Sequence, residues 1–237
     1  MRLLVSGATR TIARLLADPL LGSLANAHLG HLVTPAAGNR LESLLPTGLP
    51  IAIDNGAFAQ FQAGQSFDWR GYQRYIDRVA ERYYTTDLRQ RLLWCVIPDV
   101  VTDHQATRRA AATWRMLQTP AMAALPWAWV AQDGATPRHA PGQGDPRGGP
   151  WVGIRCCFIG GSTHWKESPA AHAMIRFAQR HGRLVHVGRV NSYRRLAVFD
   201  HCDIDSCDGG QFSMFPDTYI ARWLQRLAYR QAQLEDL

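Results

Sequence analysis

Little in this chain invites covalent cross-linking. Its 237 residues include five cysteines, an odd number, at Cys95, Cys156, Cys157, Cys202 and Cys207. Their positions do not make the framework of a disulfide-stapled domain, so a reducing, cytoplasmic location is expected. Long apolar runs are also lacking. No stretch approaches the roughly 20 residues of a membrane-spanning helix, and no membrane partner is expected. Acids are scarce, 19 against 26 Lys and Arg, for a formal net charge of +7. That surplus suits a polyanionic partner and equally suits a solvated, arginine-rich surface; charge alone does not separate the two. The acid-poor beginning has the composition of a transit peptide, but Arg2-Leu3-Leu4-Val5-Ser6-Gly7 reads as an opening strand and turn and is assigned to the fold. There is no internal repeat.

Apolar residues make up 46% of the chain and eight are tryptophan, which favours a packed core over disorder. Apolar runs of strand length fall at 3–6, 31–34, 51–53, 93–97, 128–131, 152–158, 184–187 and 203–206. Between them, three- and four-residue apolar spacing predicts helices over 11–24, 69–84, 103–117, 169–181, 192–198 and 217–232. Strands alternating with helices imply a parallel sheet, and eight of them imply closure. The expected fold is α/β, a (β/α)8 TIM-type barrel forming one domain over 1–237, with a doubly wound open sheet as the alternative. The Gly- and Pro-rich stretch 133–150 cannot bury a helix face and is expected to be a flexible loop on the rim.

The polar residues that interrupt this pattern sit where predicted strands end. Asp54 follows Ile51-Ala52-Ile53, Asp99 follows Cys95-Val96-Ile97-Pro98, and Gln132 follows Trp129-Val130-Ala131. Gly160-Gly161 follows Cys157-Phe158-Ile159, Gly188-Arg189 follows Val185-His186-Val187, and Asp205 and Asp208 close the last run. In a barrel all these ends lie on one rim, the face that carries active sites in this architecture. One Asp after a strand is usually a cap or turn former. Several at successive strand ends, with a Gln and two glycine turns, point to a site.

The same residues carry a resemblance. Asp54-Asn55-Gly56-Ala57-Phe58 with Gln60-Phe61 resembles the Asp-Ser-Gly-Gly-Phe/Tyr-Gln segment of the tRNA-guanine transglycosylases. Val130-Ala131-Gln132-Asp133-Gly134 is similar to their Val-Gln-Gly strand end, and Asp205-Ser206-Cys207-Asp208 to their Asp-x-x-Asp segment. The blocks 158–166 and 187–192 resemble those of the shorter DpdA-type branch of phages and genomic islands, whose members exchange guanine in DNA for a 7-deazaguanine. The matching blocks run from Asp54 to Asp208 in the family order.

The resemblance implies a pentosyltransferase. Asp208 would be the nucleophile at the anomeric carbon and Asp54 the general acid/base. Asp99 would accept hydrogen bonds from the base, Gln132 and the Gly160-Gly161 backbone would read its carbonyl edge, and Phe58 would stack on it. Asn55 and Arg189 would also contact substrate. Asp205 rivals Asp208, because a slip of register along the last strand exchanges them. Asp203 reads as a strand-edge or turn residue. The implied partners are DNA, ahead of tRNA, a free 7-deazaguanine base such as preQ0, and companion DNA-modification proteins. No cofactor is expected. The tRNA enzymes hold zinc through Cys-x-Cys-x-x-Cys and a His; here only Cys202, Cys207 and His201 come near that, so no metal site is expected. The basic residues His164, Lys166, Arg189, Arg194 and Arg195 suit a phosphate track or a solvated surface. Three other readings stand beside it: a base-releasing N-glycosidase on the same residues, a non-catalytic barrel that binds nucleic acid through its basic face, and a barrel enzyme for a small phosphorylated metabolite with Gly160-Gly161 and Gly188 as the phosphate cradle.

Overall fold

The computed structural model describes residues 1–35, 41–142 and 151–235, with side chains to 229. Eight parallel strands close into a barrel in chain order: β1 (Arg2–Val5), β2 (Leu29–Val33), β3 (Ile51–Ile53), β4 (Leu92–Val96), β5 (Trp127–Ala131), β6 (Ile154–Ile159), β7 (Leu184–Val187) and β8 (Ser206–Asp208). Strand β8 pairs with β1 through Arg2 opposite Ser206 and Leu4 opposite Asp208, which completes the ring. The fold is the expected (β/α)8 barrel.

Both faces of these strands are buried, so they read as apolar runs without alternation. One set of side chains, Leu3, Val5, Ile51, Ile53, Trp127 and Trp129 among them, packs outward against the helices. The other set fills the lumen: Leu4, Leu32, Ala52, Trp94, Val96, Ala128, Val130 and Cys156, with Phe158 packed on them. Trp94 is fully buried and makes edge contact with Phe158 at 5.6 Å between ring centroids. The lumen is therefore solid at this level, and open space begins only above it.

The principal helices are Trp69–Thr85, His104–Leu117, Pro169–Arg180, Tyr193–Asp200 and Pro216–Glu235. Four of them are capped by side chains that accept the N–H three residues on: Asp68 from Gly71, Asp103 from Ala106, Ser168 from Ala171 and Ser192 from Arg195. The capping carboxylates at Asp68 and Asp103 show that some strand-to-helix acids are structural.

Three elements differ from expectation. The helix expected over 11–24 is two helices, Thr9–Leu16 and Gly22–His28. Pro19 cannot supply a helical N–H, and Asp18 folds the break by accepting from the backbone N–H groups of Leu20 and Leu21. The sixth strand begins two residues late because Trp151 and Gly153 take left-handed backbone, φ 71° and 72°. The last strand is Ser206–Asp208 rather than 203–206; Asp203, at φ 49°, is in the preceding turn. Within the segment read as a flexible loop, residues 133–142 carry the short 3-10 turn Pro137–His139, with Ala135 and Ala140 buried. Residues 143–150 lie outside the described residues.

Candidate active site at the mouth of the barrel

A cleft of about 520 Å³ opens over the C-terminal ends of the strands. It is lined by Asp54, Asn55, Phe58, Asp99, Gln132, Gly160, Arg189 and Asp208, and also by Lys166. Gly161 and Asp205 are not part of the lining.

Asp208, at the end of β8, has donors at both oxygens. Its Oδ1 accepts the backbone N–H of Arg189 at 3.0 Å, and its Oδ2 lies 2.9 Å from His186 Nε2. His186 is fully buried in β7, with its Nδ1 2.9 Å from the Ser206 hydroxyl. Its ring is packed by Trp94 and Phe158, at 4.9 and 4.5 Å between centroids. The lumen thus fixes the imidazole, and the imidazole fixes the carboxylate. Asp208 is thus oriented through both of its oxygens.

Asp54 is held differently. Its backbone N–H continues the β2–β3 ladder to Val33, and its carboxylate takes backbone N–H contacts from Asn55 and, at a long 3.4 Å to Oδ2, from Gly56. Burial pushes its pKa up to about 7, and the neighbouring carboxylates Asp208 and Asp99 push in the same direction. The two aspartates are therefore set differently: both oxygens of Asp208 are engaged, whereas the pKa of Asp54 is raised to about 7.

Asp99, in the same cleft, sits on a rigid mount. Its Oδ1 accepts from Asn55 Nδ2 at 2.7 Å and its Oδ2 from Gln132 Nε2 at 2.5 Å. Burial raises its pKa, while those two amides and Arg189 pull it down. Asn55 is fully engaged: Nδ2 also reaches the Ile97 carbonyl, and Oδ1 caps Ala57 N–H at 2.8 Å. Gln132 Oε1 accepts the N–H of Thr102, which stands at φ 62°. Asn55 and Gln132 are thus chiefly supports for Asp99. That leaves Asp99 its remaining lone pairs as the cleft's acceptor pair.

Arg189 straps the wall. Its guanidinium lies 4.0 Å from the centroid of the Phe58 ring, and its Nη2 donates to the Gly161 carbonyl. One face of Phe58 is therefore already covered. Gly161, at φ 72°, passes so close to Asp133 that a Cβ there would stand 2.4 Å from its Oδ1. Asp133 accepts from both the backbone N–H and the hydroxyl of Ser162, which ties the loops after β5 and β6 together.

Asp205 occupies the opposite end. Its backbone carbonyl accepts from Arg2 N–H, and its carboxylate accepts from Val185 N–H at 2.7 Å, at the start of β7. The register of β8 separates the two rivals: Asp208 is at the mouth and Asp205 at the base. His186, Ser206, Asp133 and the burial of Lys166 were missed from sequence. A lone polar residue inside an apolar strand, His186 between Val185 and Val187, was the available signal.

All five cysteines are free. Among the described residues, no group of three or more His, Cys, Asp or Glu side chains could hold a metal ion. No helix among them is long and apolar enough to cross a membrane. No protein-family model matches the chain, and no curated protein matches its sequence.

Proposed function

We propose that the chain is a base-exchange glycosyltransferase of the tRNA-guanine transglycosylase type, acting on DNA and replacing guanine with a 7-deazaguanine such as preQ0. The observation that carries this reading is the pair of aspartates in one cleft with opposite settings. Asp208 is oriented and receives two N–H donors. Asp54 is half-buried in the cleft wall and has a pKa near 7.

The chemistry follows from these settings. Asp208 attacks C1′ of the target nucleotide as the C1′–N9 bond breaks, and Asp54 gives its proton to the departing guanine. The product is a glycosyl ester on Asp208 and an ionised Asp54. Asp54 then takes the proton of the incoming base, whose ring nitrogen attacks C1′ and displaces Asp208. Two inversions return the original configuration. Asp99, opposite Arg189, offers acceptors for the N–H groups of the base. The cleft volume falls in the range of small-ligand pockets, about 300–1,000 Å³, so a single nucleotide must leave its stack to enter. The net charge of +7 suits the phosphate chain that follows it.

Mass spectrometry of nucleosides from DNA and tRNA, exposed to the purified protein with and without preQ0, tests this. Replacement of deoxyguanosine by the deazaguanine deoxynucleoside supports the proposal. Guanine release without replacement identifies a hydrolase. Modified tRNA with unmodified DNA moves the substrate to RNA, and unchanged nucleosides in both oppose the enzyme reading.

A further inference from the structure

We infer that Lys166 is the positioning residue of Asp208, acting through the peptide group that joins Gly188 to Arg189. Lys166 Nζ donates to the Gly188 carbonyl at 2.6 Å. The N–H of that same peptide, on Arg189, donates to Asp208 Oδ1 at 3.0 Å. One rigid amide plane thus has an ammonium at its oxygen and the carboxylate at its hydrogen. A cation at a peptide oxygen draws charge from the nitrogen and makes the N–H a stronger donor.

Three further observations support this assignment. Lys166 is the single lysine among 26 Lys and Arg residues. It is 2% exposed, so it is not a solubility residue. Arg189 stands at φ 59°, a left-handed conformation that a residue with a side chain keeps only where its surroundings hold it. The lysine contributes to that hold from the Gly188 side, beside the bonds of Arg189 to Asp208 and Gly161. A compact ammonium suits a single buried carbonyl, whereas a planar guanidinium would need more acceptors. Gly188 itself must be glycine, because a Cβ would stand 2.6 Å from the Phe158 ring.

The charged groups around Lys166 are Arg189 after β7, Asp208 on β8, Arg195 on the helix Tyr193–Asp200 and Glu167, the next residue in the chain. Burial and the two arginines outweigh the two acids and bring its pKa down to about 8. The hold is present at neutral pH and weakens as the ammonium loses its proton.

The positioning role rests on Asp208 as nucleophile, but the linkage does not, so two measurements are paired. The first is NMR of the unliganded protein. With lysine labelled at Nζ, one side-chain signal is expected, titrating near pH 8. The Arg189 amide should move with the same midpoint. In Lys166→Met that movement should vanish, while any shift caused by Asp54 near pH 7 should remain. The second is the initial rate of covalent adduct formation. Lys166→Met should slow it by about 10-fold or more, the worth of one hydrogen bond to a charged group, with nucleic-acid Kd within about twofold. Lys166→Arg should recover part of the rate. An Arg189 amide that ignores the Nζ titration overturns the linkage, even if Lys166→Met fails to fold. A folded Lys166→Met with the wild-type adduct rate overturns the positioning role. Co-titration in a wild-type protein that forms no adduct upholds the linkage and refutes the transglycosylase reading.

Discussion

Asp208 Oδ2 and His186 Nε2 meet at 2.9 Å at the top of the packed lumen, and the imidazole is fixed from its far side by the Ser206 hydroxyl. The Asp208 carboxylate is therefore mounted on the barrel's own core rather than on a loop.

His186→Phe tests that mount. The ring volume is kept, but Asp208 loses a donor and Ser206 a partner. Adduct formation should fall by roughly 10–100-fold, the worth of a hydrogen bond to a charged group. Thermal unfolding and single-turnover rates measured together check this. A wild-type rate in a folded variant would remove His186 from the account.

The pKa of Asp54, near 7, predicts opposite pH limbs for the two half-reactions. Expulsion of guanine needs the protonated form, so adduct formation should decline as pH rises through about 7. Transfer to the incoming base needs the ionised form and should rise over the same interval. Single-turnover rates of each half-reaction between pH 5.5 and 7.5, roughly the interval set by the shift, give both curves. Parallel limbs would show that one residue does not serve both steps.

Asp54 also burdens the fold. Its native pKa is raised, so the unfolded chain loses this proton first. Stability contributed by the neutral acid is present below the unfolded value, near 4, and is eroded as pH rises to about 7. Asp54→Asn should therefore stabilise the protein by roughly 1–3 kcal/mol more at pH 8 than at pH 5, measured by denaturant unfolding. An equal gain at both values would show an Asp54 that is not proton-linked.

Asp205→Ala should separate position from sequence motif. It removes the carboxylate that accepts from Val185 N–H at the base of the barrel. The expected cost is about 0.5–1.5 kcal/mol of stability with adduct formation retained. Loss of the adduct in a folded Asp205→Ala variant would make the base of the barrel part of the site.

The sites at the mouth were legible because polar residues end apolar runs there, and closure into a barrel turns strand ends into one rim. Asp54, Asp99, Gln132 and Asp208 line the cleft at those strand ends. What stayed hidden has specific causes. The alternation Asp203-Ile204-Asp205-Ser206 looks like a strand, but Asp203 turns the chain at φ 49°, and the true strand starts at Ser206. Both faces of a parallel strand are apolar, so nothing in Leu184-Val185-His186-Val187 says that His186 faces the lumen. Lys166 follows a glycine turn and looks like a solvated cation, because its burial depends on the distant Gly188 carbonyl. Asn55 and Gln132 stand where base contacts are expected, yet their amides are mostly spent on Asp99, Ala57 and Thr102.

The most direct test of the account is covalent trapping with Asp208→Asn. An amide keeps the shape of the carboxylate but cannot form the glycosyl ester or stabilise the oxocarbenium-like transition state. Wild-type protein mixed with guanine-containing DNA, denatured and run on a gel, should show a protein–DNA adduct that chases away when preQ0 is added. Asp208→Asn should bind the same DNA and show no adduct under either condition. An adduct that persists in Asp208→Asn would contradict the assignment of the nucleophile and, with it, the mechanism.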